Sequence, residues 1–143
     1  MSVLRIEEID DNGLARTWPV MAQLRPHLSE AEFLATVRRL RTTDGFRIFA
    51  ATRGGGDVVG VAGVRPMELL YCGRILQIDD LVVSEAERST GVGKALVDHV
   101  KAEARAQGRS EVHLDSALVR ADAHRFYDRE GFERLGYHFR IRL

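Results

Sequence analysis

What this chain lacks narrows its function first. Cys72 stands alone, which excludes a disulfide framework and a cysteine-rich metal site and suits a reducing compartment. Neither charge is in excess, with 21 Lys and Arg against 21 Asp and Glu. Without a net positive field the chain has no general hold on a polyanion or an anionic bilayer, so neither nucleic acid nor membrane is expected as a partner. No apolar run approaches the roughly 18 residues of a membrane span. The first residues place Glu7, Glu8 and Asp10 where a secretory leader places bases. The expected location is the cytoplasm. The three prolines are scattered, and no repeat or low-complexity tract interrupts the chain. No cluster of His or carboxylates has metal-ligand spacing, and no serine sits in a nucleophile elbow. Metal catalysis and triad hydrolysis are therefore not expected, and no metal site is assigned.

What is present is 45% hydrophobic and 29% charged over 143 residues, a globular composition with room for one domain, 1–143. Residues 3–8 read as a strand closed by Asp10, Asp11, Asn12 and Gly13. Two helices follow, about 14–24 and then from Ser29, an N-cap with Glu32 three residues on. Residues 46–52 and 58–64 form a hairpin through the glycines 54–56, and a third strand runs from about 75 to 83. The long helix at about 90–107 sets Val92, Leu96 and Val100 on one stripe opposite Lys94, Asp98, Lys101 and Arg105. Residues 111–116 form a short strand, 122–130 a helix stopped by Gly131, and 132–143 one or two closing strands. The class is mixed α/β (α+β), with a mainly antiparallel sheet flanked by helices.

The stretch that carries chemistry is 78–94. It ends in Arg88, Ser89, Thr90, Gly91, Val92, Gly93 and Lys94, a glycine-bearing loop that opens a helix. Such a start leaves backbone N–H groups without intrahelical partners beside the positive end of the helix dipole, so it suits a phosphate. An ordinary loop-to-helix turn has the same spacing. Walker A and Rossmann patterns both fail, because Arg88 and Ala95 break the first and Leu96 the second. In the preceding strand Leu76 and Ile78 occupy even positions, whereas Leu81 and Val83 occupy odd ones. A one-residue slip across Asp79 and Asp80 is what a β-bulge produces, and a bulge leaves backbone groups unpaired. A strand apolar on both faces, with Val82 also buried, is the alternative.

Arg88 to Gly93 resembles the Arg/Gln-x-x-Gly-x-Gly/Ala signature of the GCN5-related N-acetyltransferase (GNAT) superfamily. Ala123, Phe126, Tyr127, Gly131 and Phe132 are similar to that family's second signature, Ala-x-x-Phe-Tyr-x-x-x-Gly-Phe. The resemblance covers about 75–132, and Arg120 stands where many members have Asn, seven residues before the tyrosine. It implies acetyl-coenzyme A bound between two splayed central strands. Backbone groups of Leu81, Val82 and Val83 would pair with the pantetheine arm, and the amides of Arg88 to Lys94 would hold the pyrophosphate. Tyr127 would lie near the thioester sulfur as general acid, with Arg120 facing the cofactor. It also implies a possible homodimer.

Transfer to an amine requires the neutral amine, so a base must take its proton. Asp79 and Asp80 are the candidates, one as base and one as electrostatic holder of a cationic acceptor. His113 and His124 are weaker alternatives, and Asp115 and Ser116 end a strand near the expected mouth. The expected reaction is direct transfer of acetyl from acetyl-coenzyme A to a primary amine of a small molecule or peptide. A non-catalytic acyl-coenzyme A-binding regulatory module of the same fold remains the alternative.

Overall fold

A strand needs another strand to pair its backbone, and this chain supplies them in succession. The computed structural model describes residues 3–143. The strands are β1 (Arg5–Ile9), β2 (Arg47–Arg53), β3 (Asp57–Leu69), β4 (Gly73–Val83) and β5 (Glu111–Leu114), and the helices are α1 (Trp18–Leu24), α2 (Glu30–Asp44), α3 (Val92–Ala106) and α4 (Ala121–Arg129). The five strands lie in the order β1-β2-β3-β4-β5, and β1 to β4 pair antiparallel. The chain forms two compact units, one ending at His113 and the other Leu114–Leu143.

In the first unit, helices cover both faces of the sheet. Phe33 and Val37 of α2 and Val20 and Met21 of α1 are buried with Ile48, Ala50, Val61 and Val82 in one core. Each of these side chains apart from Ala50 contributes about 1.5–3 kcal/mol on leaving water. The start of α2 is the expected capping box: Ser29 Oγ accepts from Glu32 N–H at 3.1 Å, and Glu32 Oε1 accepts from Ser29 N–H at 3.2 Å. On the other face α3 packs against β2, β3 and β4 through the expected stripe of Val92, Leu96 and Val100, joined by Val97 and Ala104. The contact is close because β3 carries a glycine under it. A Cβ on Gly60 would stand 2.6 Å from Val92 Cγ1 and 3.0 Å from Leu96 Cδ1.

The second unit is built on α4. Tyr127 is buried, its ring set edge-on against Phe126 and Phe132 at centroid distances of 5.5 and 5.7 Å. Asp128 pairs with Arg134 at 2.7 Å, and Asp115 with His138 at 3.4 Å. The expected closing strands are absent: 132–143 form no strand, and Leu135, Tyr137, Phe139, Ile141 and Leu143 are exposed. Alternation supplies an amphipathic face, but a strand exists only when its backbone pairs, and within this unit the described residues contain no second strand to pair with. No helix among the described residues is long and apolar enough to cross a membrane.

Candidate active site

The site begins with an irregularity in one ladder. Along β3 and β4, Val64 faces Ile78 and Gly63 faces Asp80, so Asp79 has no opposite number. This is the expected bulge. Its effect on phase is the one read from the sequence, and Val82 is buried as well, so the strand is apolar on both faces and slips. A bulge turns two successive side chains toward one face, here that of α1 and α2. Gly63 makes room for this: a Cβ there would lie 2.6 Å from Phe46 Cζ and 2.9 Å from Asp80 Oδ2.

Both aspartates reach that face, and both are engaged by arginines. Arg25, at the end of α1, donates from Nε to Asp80 Oδ1 at 2.8 Å and from Nη2 to the Asp79 carbonyl at 3.2 Å. Arg65 of β3 donates from Nε to Asp79 Oδ2 at 2.7 Å and from Nη1 to Asp44 Oδ2 at 3.0 Å. Asp79 therefore offers no open negative charge to a cation. Burial pushes the Asp80 carboxyl above its usual range, opposed by the Arg25 guanidinium. Contact with Asp79 pushes the Arg65 guanidinium up.

Above Asp80 lies a cavity of about 230 Å³ lined chiefly by apolar side chains, among them Met21, Phe33, Val37, Phe46 and Ile48, with Arg25, His27 and Thr36 as further polar members. Sequence reading missed this wall. In the sequence Arg25 falls between the helix read at about 14–24 and the one from Ser29, and nothing local says that it meets β4.

The outer backbone edge of β4 is the second component. β5 is four residues long and anchored at the start of β4, where Ser110 N–H donates to the Arg74 carbonyl at 2.9 Å. At about 3.3 Å per residue it ends short of Leu81, Val82 and Val83. Beyond Val83, Ser84 N–H returns to the Val59 carbonyl at 2.8 Å, and Glu85 N–H donates to Gln23 Oε1 at 3.0 Å.

The loop that follows has an anion-binding form. Ser89 and Gly91 both have positive φ, 63° and 88°, and Gly91 is the N-cap of α3 with no side-chain cap. The first intrahelical bond is Ala95 N–H to the Gly91 carbonyl at 3.0 Å, so the amides of Val92, Gly93 and Lys94 precede the ladder. The Gly91 Cβ position faces open space. Thr90 Oγ1 donates back to the Glu87 carbonyl at 2.5 Å, and Glu87 pairs with Arg53 at 3.3 Å, holding the loop to the end of β2. The helix begins at Val92, later than expected, so Arg88, Ser89 and Thr90 belong to the loop. Val92 is buried in the core, and only its backbone is open to a ligand. Lys94 is exposed and pairs with Asp98 at 2.8 Å.

In the second unit, burial pushes the Tyr127 phenol above its usual value, and the Arg120 guanidinium opposes the shift. Tyr127 stays protonated at neutral pH, the state a proton donor needs. Arg120 is also the N-cap residue of α4. His124 Nε2 bonds the Ala117 carbonyl at 2.8 Å, a helix-end role. Ser116 Oγ is buried and has no hydrogen-bond partner.

The family model for the acetyltransferase (GNAT) family matches residues 13–132. An uncharacterized N-acetyltransferase, YhdJ of Bacillus subtilis, is 35% identical over 127 residues, covering 88% of this chain and 89% of that protein. The aminoalkylphosphonate N-acetyltransferase of Salmonella typhimurium is 34% identical over 85 residues, 59% of this chain and 55% of the relative. The chain spans only 42% of a mouse relative, the probable N-acetyltransferase family 8 member 5. Among solved structures, the aminoglycoside N-acetyltransferase AAC(6')-Iy in complex with CoA superposes with a TM-score of 0.89 at 20% identity, over 100% of this chain and 96% of that one. The chain belongs to the GNAT family. It is an acetyl-coenzyme A-dependent N-acetyltransferase.

Proposed function

We propose that the chain moves acetyl from acetyl-coenzyme A directly onto the primary amine of a small, largely apolar acceptor seated in the cavity above Asp80. The observation that carries this reading is the bulge at Asp79. It turns a carboxyl of raised pKa into an apolar cavity beside a strand edge that β5 does not cover. In this reading the Leu81–Val83 edge pairs with the pantetheine arm, the amides from Arg88 to Lys94 receive the pyrophosphate, and Arg120 faces the cofactor.

The amine nitrogen attacks the thioester carbonyl, a C–N bond forms, and backbone amides near Leu81 or Val83 take the developing oxyanion. Asp80 accepts the amine proton, directly or through one water. As the C–S bond breaks, Tyr127 gives its proton to the departing thiolate. Asp79 positions Arg65 and, through its carbonyl, Arg25. Because both carboxylates are already paired with arginines, the cavity favours an amine with one cationic centre and apolar bulk over a polycation.

The test is thiol release from acetyl-coenzyme A with a panel of small amines. Turnover that Tyr127→Phe and Asp80→Asn reduce supports the reading. Acetyl-coenzyme A binding without thiol release from any amine would leave the regulatory module in its place.

A further inference from the structure

We propose that Cys72, Glu111 and His113 form a zinc site that ties the β3–β4 turn to β5. One ligand atom from each lies within 4.8 Å of the other two. Glu111 and His113 are two apart on a strand and so share a face. Glu111 Oε1 stands 2.7 Å from His113 Nε2. Cys72 sits in the turn, its N–H bonded to the Leu69 carbonyl at 3.3 Å. Two residues on, the Arg74 carbonyl accepts both the N–H and the hydroxyl of Ser110, at 2.9 and 3.3 Å. Backbone hydrogen bonds thus fix the two segments next to the three side chains.

The donor set selects the metal. One sulfur, one imidazole nitrogen and one carboxylate oxygen suit zinc, whereas magnesium and calcium prefer oxygen alone. With metal bonds of about 2.0–2.3 Å, tetrahedral geometry sets ligand atoms about 3.3–3.8 Å apart. From separations of at most 4.8 Å the thiol needs to close by no more than about 1.5 Å, and the Glu111–His113 pair, at 2.7 Å, needs to open by about an ångström or less. The His113 side chain is 18% exposed and that of Glu111 48%, which leaves an entry path and a place for water as fourth ligand. On binding, the Cys72 thiol gives its proton to solvent and His113 coordinates as neutral imidazole. Thiolate and carboxylate then balance the two charges of the ion, and affinity rises with pH. Three protein ligands and an open position clip the hairpin turn to the edge strand. The site adjoins the start of β4, away from Leu81–Val83, and is independent of the acetyl-transfer reading.

The experiment uses the full chain, stripped with a chelator, and cobalt(II) as the spectroscopic probe. The expected result is one equivalent bound with a thiolate-to-cobalt charge-transfer band and the intense visible bands of a tetrahedral site, displaced by one equivalent of zinc. Cys72→Ser removes the charge-transfer band, and His113→Gln and Glu111→Gln each weaken zinc binding at least tenfold. Zinc raises the melting temperature of the wild type and leaves that of Cys72→Ser unchanged. A thermal shift with acetyl-coenzyme A reports that each variant is folded. A wild-type cobalt spectrum without the thiolate band overturns the proposal whatever the variants do. Equal zinc affinity in the wild type and a folded His113→Gln also overturns it, because the thiol alone would then be capturing metal.

Discussion

Asp80 and Asp79 are neighbours of the same type, and their surroundings suit them to different parts in the proposed reaction. Asp80 faces an apolar cavity with one arginine beside it, and burial raises its carboxyl. Asp79 is locked between Arg65 and the backbone of the bulge. Replacing Asp80 with Asn is expected to lower kcat/KM about 10²–10³-fold, measured by thiol release, in line with loss of a general base. Arg25→Gln removes the group that holds the Asp80 carboxyl down. The acid limb of the kcat/KM profile is then expected to move to higher pH. The stability consequence has a definite sign. A carboxyl whose folded-state pKa lies above its unfolded value favours the fold while protonated, and that contribution is lost as pH rises through the folded pKa. Urea unfolding of wild type and Asp80→Asn should therefore diverge, the wild type losing ground from the ordinary aspartate range upward. A wild type that gains relative to the variant over that interval would contradict the assignment.

At the scale of elements, α3 and β3 have to touch closely for the loop at Gly91 to be held where it is. Gly60→Ala puts a methyl 2.6 Å from Val92 Cγ1, in the first turn of α3. The expected outcome is a loss of about 1–3 kcal/mol in urea unfolding, with weaker acetyl-coenzyme A binding by calorimetry. Ser29→Ala gives the contrast. It removes the capping box of α2 and is expected to lower stability by about 1 kcal/mol while leaving acetyl-coenzyme A affinity unchanged. The cap was legible in the sequence as Ser29 with Glu32 and the α3 side of the contact as the stripe of Val92, Leu96 and Val100, whereas the close approach at Gly60 was not. The bulge was legible because a period of two has no slack: one extra residue reverses every later side chain, and the apolar residues record the reversal. The closing strands were misread. Leu135 to Leu143 alternate as a strand does, but alternation does not specify a partner.

For the molecule as a whole, zero net charge excludes a global field and leaves recognition to local groups. Acetyl-coenzyme A at about a hundred times its Kd is expected to stabilise the protein by about 2.7 kcal/mol, a melting shift of roughly 5–10 °C in a thermal scan. Gly91→Val would impose positive φ on a branched residue at the mouth of the loop and should diminish that shift. The order of elements as far as α4, the two signature stretches and the bulged acidic pair were determined by the sequence itself, because each depends on neighbours a few residues apart. The cavity wall beside Asp80 and the clustering of Cys72 with Glu111 and His113 were decided only by tertiary structure. Arg25 meets Asp80, and Cys72 meets β5, across long stretches of chain, and no local spacing encodes which side chains a sheet and its crossover helix bring together.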